Sequence, residues 1–325
     1  MGNELPPPSN VTLVKKILLI LGCTFALWAC DKEPAPSDAS GGDVVLQDTD
    51  SADLAFSGPC SVETVWAGES KETITYTYND DGLITKEVTD DKSDGKIDEV
   101  VERTYDQNGW LTTLSRDNGA DGSVNFRTLY DYNLSGWLVT EEIDRTGDGV
   151  INARKFYEYD GEGNIRSMTY DANDDNEIDY QIDYIYDDEG NLKAQEVYTT
   201  GGNTPDEVHT YEYDSDGNLV EKREERTAGQ SDQVFETDYV YDNNGNLLEE
   251  AIDYAADGSI DIRISYTYEQ GNIATKAIDK GDNGKVDELH TFAYDASGNL
   301  LSSELDRDAD GSVEIATYND FSCWE

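Results

Sequence analysis

The sequence predicts an all-β fold of nine tandem β-hairpin repeats, each about 27 residues long, joined in one antiparallel sheet. A glycine recurs at spacings of 26 to 28 residues. A tyrosine stands four residues before eight of these glycines and three residues before Gly271, and a leucine or isoleucine stands two residues after each glycine. The apolar residues upstream of the tyrosines alternate with polar ones, which is the period of a strand with one apolar face. The nine glycines are Gly82, Gly109, Gly136, Gly163, Gly190, Gly217, Gly245, Gly271 and Gly298.

Each repeat contains the parts of a hairpin. In the clearest copy, Tyr184 and Tyr186 lie on one face of a strand, and Asp187 to Gly190 is typical of a type I turn followed by a residue with positive φ. The first turn residue is Asp, Asn or Glu in all nine copies, as expected where a side-chain oxygen accepts hydrogen bonds from turn amides. The alternation reaches back to Ile178 in this copy, which predicts nine-residue strands.

A flat ribbon of eighteen such strands would leave a long tyrosine stripe in water. Because sheets twist and this one is apolar on one side, we expect a curled antiparallel sheet that forms a spiral shell or a solenoid-like tube, open or closed. Tyrosine and leucine ladders would then line its inside.

The first residues have a different composition. Lys15 and Lys16 precede an apolar run from Ile17 to Ala29, which predicts a signal peptide over residues 1–29. This run is shorter than the roughly 20 residues that span a bilayer as a helix. Residues 30–55 are rich in Pro, Ser, Gly and charge and are predicted to be a linker, and residues 56–325 are predicted to be the repeat domain.

The signal peptide ends in Leu-Trp-Ala followed by Cys30, which resembles the lipobox of bacterial lipoproteins. The resemblance implies that Cys30 is lipidated, by acyl chains such as palmitate, and anchors the mature chain to a membrane. Cys23 follows a second partial match, and a buried helix ending in an unmodified cysteine is the alternative without any anchor. We expect a lipid-anchored protein of the cell envelope, at the outer membrane or cell surface or on the periplasmic face of the inner membrane.

Cys60 precedes the first repeat and Cys323 follows the last. An exported chain meets oxidising conditions, which favour a disulfide between them. Such a bond requires Cα atoms within about 7 Å, so the two ends of the array would have to meet. Two separate thiols are the alternative.

The Tyr-x-Tyr-Asp-x-x-Gly units resemble the YD-repeat family, also called RHS repeats, over residues 76 to about 317. The resemblance implies β-hairpins wound into a hollow shell. Two departures are the Gly-Asn-Leu that replaces Gly-Arg-Leu of many members and an inserted acidic loop. No variable toxin domain of the kind that large members enclose follows the last repeat, so we do not expect a toxin role.

The inserted loops resemble Asp-x-Asp-x-Asp-Gly calcium loops, because spaced carboxylates with a glycine at the sharp turn suit an oxygen-seeking cation. Two loops carry oxygen side chains at the first, third, fifth and ninth positions. Their predicted ligands are Asp171, Asn173, Asp175, Asp179, Asp306, Asp308, Asp310 and Glu314. The bidentate twelfth-position Glu is missing, so affinity would be weak, about 10⁻⁴ to 10⁻³ M. Turns that use Asp and Gly for backbone reasons are the alternative.

The formal net charge is -48, from 71 Asp and Glu against 23 Lys and Arg, which disfavours a nucleic-acid partner. No catalytic residue is expected, and His209 and His290 occupy one equivalent strand position, which favours a structural role. Trp110 and Trp137 follow repeat glycines and are candidates for stacking on sugar rings, or else they cover neighbouring loops.

These observations predict a non-enzymatic envelope scaffold, adhesion or binding module with a protein or polysaccharide ligand, and calcium bound in the acidic loops would stabilise it. A carbohydrate-active protein and a toxin-associated shell of the YD-repeat type are the rival classes.

Overall fold

The computed structural model describes residues 58–66, 71–199, 202–227 and 233–324, and these are all-β. Twenty antiparallel strands form one sheet, which confirms the predicted antiparallel hairpin sheet and adds two strands to the eighteen of the nine repeats. Outside the strands, the described residues contain one turn of 3-10 helix at Ser322–Trp324. They include no helix with the length and apolarity to cross a membrane. The predicted signal peptide, Cys30 and the linker lie outside the described residues.

The strands are β1 Ser61–Trp66, β2 Lys71–Tyr78, β3 Ile84–Asp90, β4 Glu99–Tyr105, β5 Leu111–Asn118, β6 Phe126–Tyr132, β7 Leu138–Asp144, β8 Ala153–Tyr159, β9 Ile165–Asp171, β10 Tyr180–Tyr186, β11 Leu192–Thr199, β12 Glu207–Tyr213, β13 Leu219–Arg226, β14 Gln233–Tyr241, β15 Leu247–Asp253, β16 Ile262–Glu269, β17 Asn272–Lys280, β18 Glu288–Tyr294, β19 Leu300–Asp306 and β20 Ile315–Asp320.

The nine predicted repeats are the nine hairpins from β2–β3 to β18–β19, and each pairs with the next. The strands β1 and β20 were not expected from the repeat. β1 pairs with β2 on one side and with β20 on the other, and β20 pairs with β19. The sheet of described strands is therefore a closed tube.

Eight of the nine hairpin turns have the geometry that their sequence predicts, whereas the β16–β17 turn has only two residues, Gln270 and Gly271, both with positive φ. In the fifth hairpin, the amide of Asp187 donates to the carbonyl of Asn191 at 2.9 Å, and the amide of Gly190 donates to the carbonyl of Asp187 at 3.1 Å. Gly190 has a φ of 87°, and the register shifts at Tyr186, so a β-bulge follows the turn. Glycine fits because it adopts positive φ without steric cost.

The prediction of nine-residue strands is wrong for this unit, because β10 begins at Tyr180 and Ile178 lies in the preceding loop, 41% exposed. The amide of Asp179 still donates to Tyr170, but the Asp179 carboxylate accepts the loop amide of Ala172 at 2.8 Å. That hydrogen bond holds residues 172–179 as a compact loop, so the apolar alternation extends beyond the strand.

The two faces of the sheet differ in burial as predicted. The tyrosine face is the inner wall of the tube: Ala153 and Val101 on it are 0% and 3% exposed. Ile185 and Val240 project from the outer face and are 40% and 50% exposed. Twenty strands about 4.8 Å apart give a perimeter of about 95 Å, and closed sheets of this strand number enclose an aqueous space. Within the described residues each strand contacts only the strands beside it, so no other described element fills that space.

The tube has two different rims. All nine hairpin turns lie at one end, which we call the turn rim (turns 79–82, 106–109, 133–136, 160–163, 187–190, 214–217, 242–245, 269–271 and 295–298). The loops between hairpins lie at the other end, the loop rim (91–98, 119–125, 145–152, 172–179, 202–206, 254–261, 281–287 and 307–314 among the described residues). The acidic loops are therefore gathered at one end of the molecule.

Candidate functional site

In six hairpins the repeat tyrosine forms a hydrogen bond to the hairpin before it. The hydroxyl of Tyr159 donates to the carbonyl of Leu138 at 2.7 Å, and that of Tyr186 donates to Ile165 at 3.0 Å. The acceptor is the apolar residue two positions after the glycine of the preceding repeat. The same bond recurs for Tyr105, Tyr132, Tyr213 and Tyr268. The tyrosine that identifies the repeat in the sequence thus forms a hydrogen bond between neighbouring units.

In eight of the nine turns, the side chain of the first residue accepts hydrogen bonds from the backbone amides of its own turn. In the sixth turn, the Asp214 carboxylate accepts the amides of Asp216 and Asn218 at 2.8 and 2.9 Å and the Asn218 side-chain amide at 2.9 Å. The hydrogen bond from the Asn218 side chain, followed by that from its backbone amide, lowers the pKa of Asp214. This explains why Asn follows Gly in most repeats: it stabilises the ionised form of the turn aspartate.

The acidic loops use their carboxylates in the same way. Asp144, at the first position of its loop, is 1% exposed and accepts the amides of Gly147 and Gly149 at 2.7 and 2.8 Å. Burial alone would raise the pKa of Asp144, but the backbone hydrogen bonds from the loop lower it. Hydrogen bonds from backbone amides therefore stabilise the ionised form of Asp144, and calcium binding by these loops stays a prediction.

The predicted calcium ligands differ between the two favoured loops. Asp306, Asp308, Asp310 and Glu314 bring one carboxylate oxygen each to within 4.8 Å of one another. In the other loop, Asp171 is 3% exposed and accepts the amide of Asn176 at 2.8 Å. The Asn173 and Asp175 side chains accept the amides of Asp175 and Glu177, and Asp179 accepts that of Ala172. No comparable group of three acidic side chains occurs in the Asp171 loop, whose residues are all described.

The remaining cysteines lie at the seam of the tube, which is the place where β1 pairs with β20 and closes the sheet. Cys60 and Cys323 are joined by a disulfide with 5.7 Å between their Cα atoms. Cys60 directly precedes β1, Cys323 follows β20, and both lie at the turn rim. The amide of Cys60 also donates to the carbonyl of Asp320. The ends of the array therefore meet, which is the geometry that the bond demands.

Trp110 and Trp137 cover the next turn along the rim. The Trp110 ring lies 5.4 Å from the Tyr132 ring, and the Trp137 ring lies 5.2 Å from that of Tyr159. A Cβ placed on Gly163 would come within 2.8 Å of the Trp137 ring. Both indoles are half-buried. This is the arrangement of residues that cover neighbouring loops, and saccharide binding by these indoles stays a prediction, which a glycan survey of the Trp110→Ala, Trp137→Ala double variant tests.

The charged residues of the inner wall are nearly balanced. By the strand register, eight glutamates and seven lysines or arginines in the described strands share the tyrosine face. The glutamates are Glu72, Glu87, Glu99, Glu141, Glu207, Glu224, Glu250 and Glu288, and the cations are Arg103, Arg116, Lys155, Lys222, Arg226, Lys276 and Lys280. Arg103 pairs with Glu87 at 3.0 Å and Lys155 with Glu141 at 3.3 Å. Most of the acidic excess therefore lies on the outer face and the rims.

No family model matches the chain, and no curated protein sequence matches it. The crystal structure of TcdB2-TccC3 is similar at 15% identity and a TM-score of 0.45, over 76% of this chain and 14% of that one. A porin-like protein from Bacteroides uniformis is similar at 14% identity and a TM-score of 0.35, over 80% and 95% of the two chains. This chain thus spans about one seventh of the TcdB2-TccC3 chain. At such low identities and TM-scores, these similarities assign neither a family nor a function.

One cluster on the inner wall was missed by the sequence reasoning. His209 lies 2.6 Å from the Glu207 carboxylate, and Glu224 lies opposite His209 on the neighbouring strand. Burial would raise the pKa of Glu224, but the hydrogen bond and charge of Lys222 and the charges of His209 and Arg226 lower it. The signal in the sequence is the glutamate at position 224, where the other repeats have no acidic residue. The strand register is needed to recognise that this position faces His209.

Proposed function

We propose that the chain is a lipid-anchored binding or scaffold module of the bacterial cell envelope, without catalytic activity, whose folded body is the closed hairpin tube. The seam carries this proposal. A disulfide between Cys60 and Cys323 suits an exported protein, because such bonds persist in oxidising compartments and are rare in the cytosol. A signal peptide with a lipobox at Cys30 supports the same compartment from an independent part of the chain.

The position of the seam indicates which rim of the tube a lipid-anchored tether would join. Gly58, the first described residue, lies beside the seam at the turn rim. A tether from Cys30 would join the tube at that rim and leave the acidic loop rim at the opposite end.

The side chains of the repeat support a scaffold rather than an enzyme. The repeat tyrosine hydroxyls and the turn and loop aspartates hold neighbouring units together or order the backbone. An acidic outer face disfavours polyanionic partners. A protein or polysaccharide that is neutral or basic is the partner class that these charges favour.

Metabolic labelling with an alkyne analogue of palmitate tests the anchor. Bacteria that produce the full chain should label it, and Cys30→Ala should abolish labelling. Cys23→Ala is the matched control, because Cys23 lies in the same leader after the second partial lipobox, and it should label normally. Labelling that survives Cys30→Ala, or a wild-type chain that never labels, would contradict the proposal.

A further inference from the structure

The hairpin β12–β13 departs from the repeat on the inner wall. Glu207 and His209 stand two residues apart on β12, so both project from the same face. Glu224 pairs with His209 across the hairpin and shares that face. Of the nine hairpins, all of whose equivalent positions are described, this one alone has an acidic residue at the position of Glu224. The other eight have Thr89, Arg116, Ile143, Tyr170, Val197, Ile252, Ile278 and Leu305.

The three side chains converge. The Nε2 of His209 lies 2.6 Å from the Oε1 of Glu207, and ligand atoms of all three residues lie within 4.8 Å of one another. The exposed fractions of the His209, Glu207 and Glu224 side chains are 18%, 23% and 23%. They are thus partly covered by the wall but open to the enclosed space, so a solvated ion can reach them.

One imidazole nitrogen with carboxylate oxygens is a donor set that suits a divalent transition metal, and three protein ligands leave a coordination position for water. We propose that Glu207, His209 and Glu224 form a binding site for a divalent transition metal ion, with zinc as the ion that fits the donors best. The imidazole distinguishes this site from the acidic loops, which offer oxygen alone and suit calcium.

Two cations compete for the same carboxylates. The Nζ of Lys222 lies 2.6 Å from Oε1 of Glu224, and the Nε of Arg226 lies 3.1 Å from Oε1 of Glu207. Each carboxylate retains its second oxygen, with the closest cation to Oε2 of Glu224 being Arg226 at 3.8 Å. A metal ion would therefore share Glu224 with the ammonium of Lys222, whose positive charge opposes metal binding, and this gives Lys222 a predictable effect on metal affinity.

Calorimetric titration of the full chain with zinc tests the proposal, in millimolar calcium so that oxygen-only sites are occupied. We expect one zinc ion to bind per chain, and we expect His209→Gln to lower the affinity for that ion more than about tenfold. His290→Gln is the matched control. His290 lies 3.0 Å from Glu288, the residue two positions earlier, as His209 does from Glu207, but its cross-strand partner is Leu305. His290→Gln should leave zinc binding unchanged.

Lys222→Met supplies a second readout in the opposite direction. Because the competing ammonium is removed, this variant should bind zinc more tightly than the wild type. Cobalt should give the visible absorption of a nitrogen and oxygen ligand set in the wild type and lose it in His209→Gln. Glu224→Gln replaces His209→Gln if circular dichroism shows that the latter does not fold.

Equal zinc affinity in wild type, His209→Gln and Glu224→Gln overturns the proposal and leaves the cluster as an ion-pair network. So does a Lys222→Met variant that binds zinc no better than the wild type. The result does not depend on the membrane anchor, because zinc binding and labelling of Cys30 are measured separately.

Discussion

The hydroxyl of Tyr159 donates a hydrogen bond of 2.7 Å to the carbonyl of Leu138, one hairpin earlier in the tube. Because the bond joins two repeats, its loss should weaken the contact between hairpins rather than one hairpin alone. We expect Tyr159→Phe to lower the free energy of unfolding by about 0.5 to 1.5 kcal/mol. The shift of the urea midpoint at constant slope measures it.

Tyr184→Phe is the control for this change. Tyr184 lies on the same face two strands away, and its hydroxyl makes no hydrogen bond among the described residues. Loss of the Tyr184 hydroxyl should leave the urea midpoint nearly unchanged. Equal shifts in the two variants would mean that the hydroxyls of the repeat tyrosines do not join neighbouring units.

The contact between Trp137 and Gly163 predicts an unequal pair of glycine substitutions. Gly163 and Gly190 have φ angles of 93° and 87°, so alanine is strained at both, by about 1 to 2 kcal/mol. An added Cβ would come within 2.8 Å of the Trp137 ring at Gly163 but would meet nothing within 4 Å at Gly190. Gly163→Ala should therefore destabilise the protein more than Gly190→Ala, measured by urea unfolding.

A double-mutant cycle identifies the cause of that difference. In a Trp137→Ala background, Gly163→Ala and Gly190→Ala should become alike, because the ring that the new methyl group meets is gone. A difference that persists would show that the backbone, not the indole, distinguishes the two turns.

The sequence predicts the hairpins well because each depends on residues close together in the chain. Tyr-x-Tyr, the turn Asp and the positive-φ Gly specify one hairpin within about ten residues. The closing strands lack that motif, and Ser61–Trp66 reaches Ile315–Asp320 only through pairing of chain ends that lie far apart in sequence. Closure is therefore a property of the whole ring, which no local pattern specifies.

The candidate sites were predicted less well for a related reason. Glu224 follows His209 by fifteen positions, and only the bulge and register of the β12–β13 hairpin place the two residues opposite each other. Trp137 contacts Gly163, which is the glycine of the next repeat, so its own repeat does not indicate that contact. The functions of such residues depend on cross-strand partners rather than on their own spacing.

The hydrogen bond from Asn218 predicts the acid response of Asp214. The folded-state pKa of Asp214 lies below the unfolded value of about 3.9, so its contribution to stability is present above that value and is lost as pH falls through the folded pKa. Asn218→Ala should raise the pKa of Asp214 and lower stability near about pH 7 but not near about pH 2. Carboxyl NMR titration measures the pKa directly.

The internal reference for that titration is Asp295, which keeps its own partner Asn299 in the variant. The pKa of Asp295 should not move. An Asp214 pKa that also stays in place would mean that the backbone amides alone hold the turn carboxylate ionised.

The disulfide at the seam predicts how the tube opens. Breaking the bond between Cys60 and Cys323 should lower the free energy of unfolding by roughly 2 to 5 kcal/mol, because it closes a very long loop. Pairing of β1 with β20 should persist but exchange amide hydrogens faster than the hairpins do. The Cys60→Ser, Cys323→Ser variant and the reduced wild type should behave alike in hydrogen exchange. Uniform protection of amide hydrogens across all strands would mean that the tube does not open first between β1 and β20.

The acidic loops predict a calcium response that differs from loop to loop. The four carboxylates of the Asp306 loop converge within 4.8 Å, whereas the Asp253 loop has Ala255 at its third position. With a dissociation constant of about 10⁻⁴ to 10⁻³ M, about 10 mM calcium should stabilise the protein by about 1 to 3 kcal/mol. Asp310→Asn should remove most of this gain, and Asp257→Asn, at the fifth position of the Asp253 loop, should remove little. A melting temperature that calcium does not raise in the wild type would leave these loops as turns held by their own backbone amides.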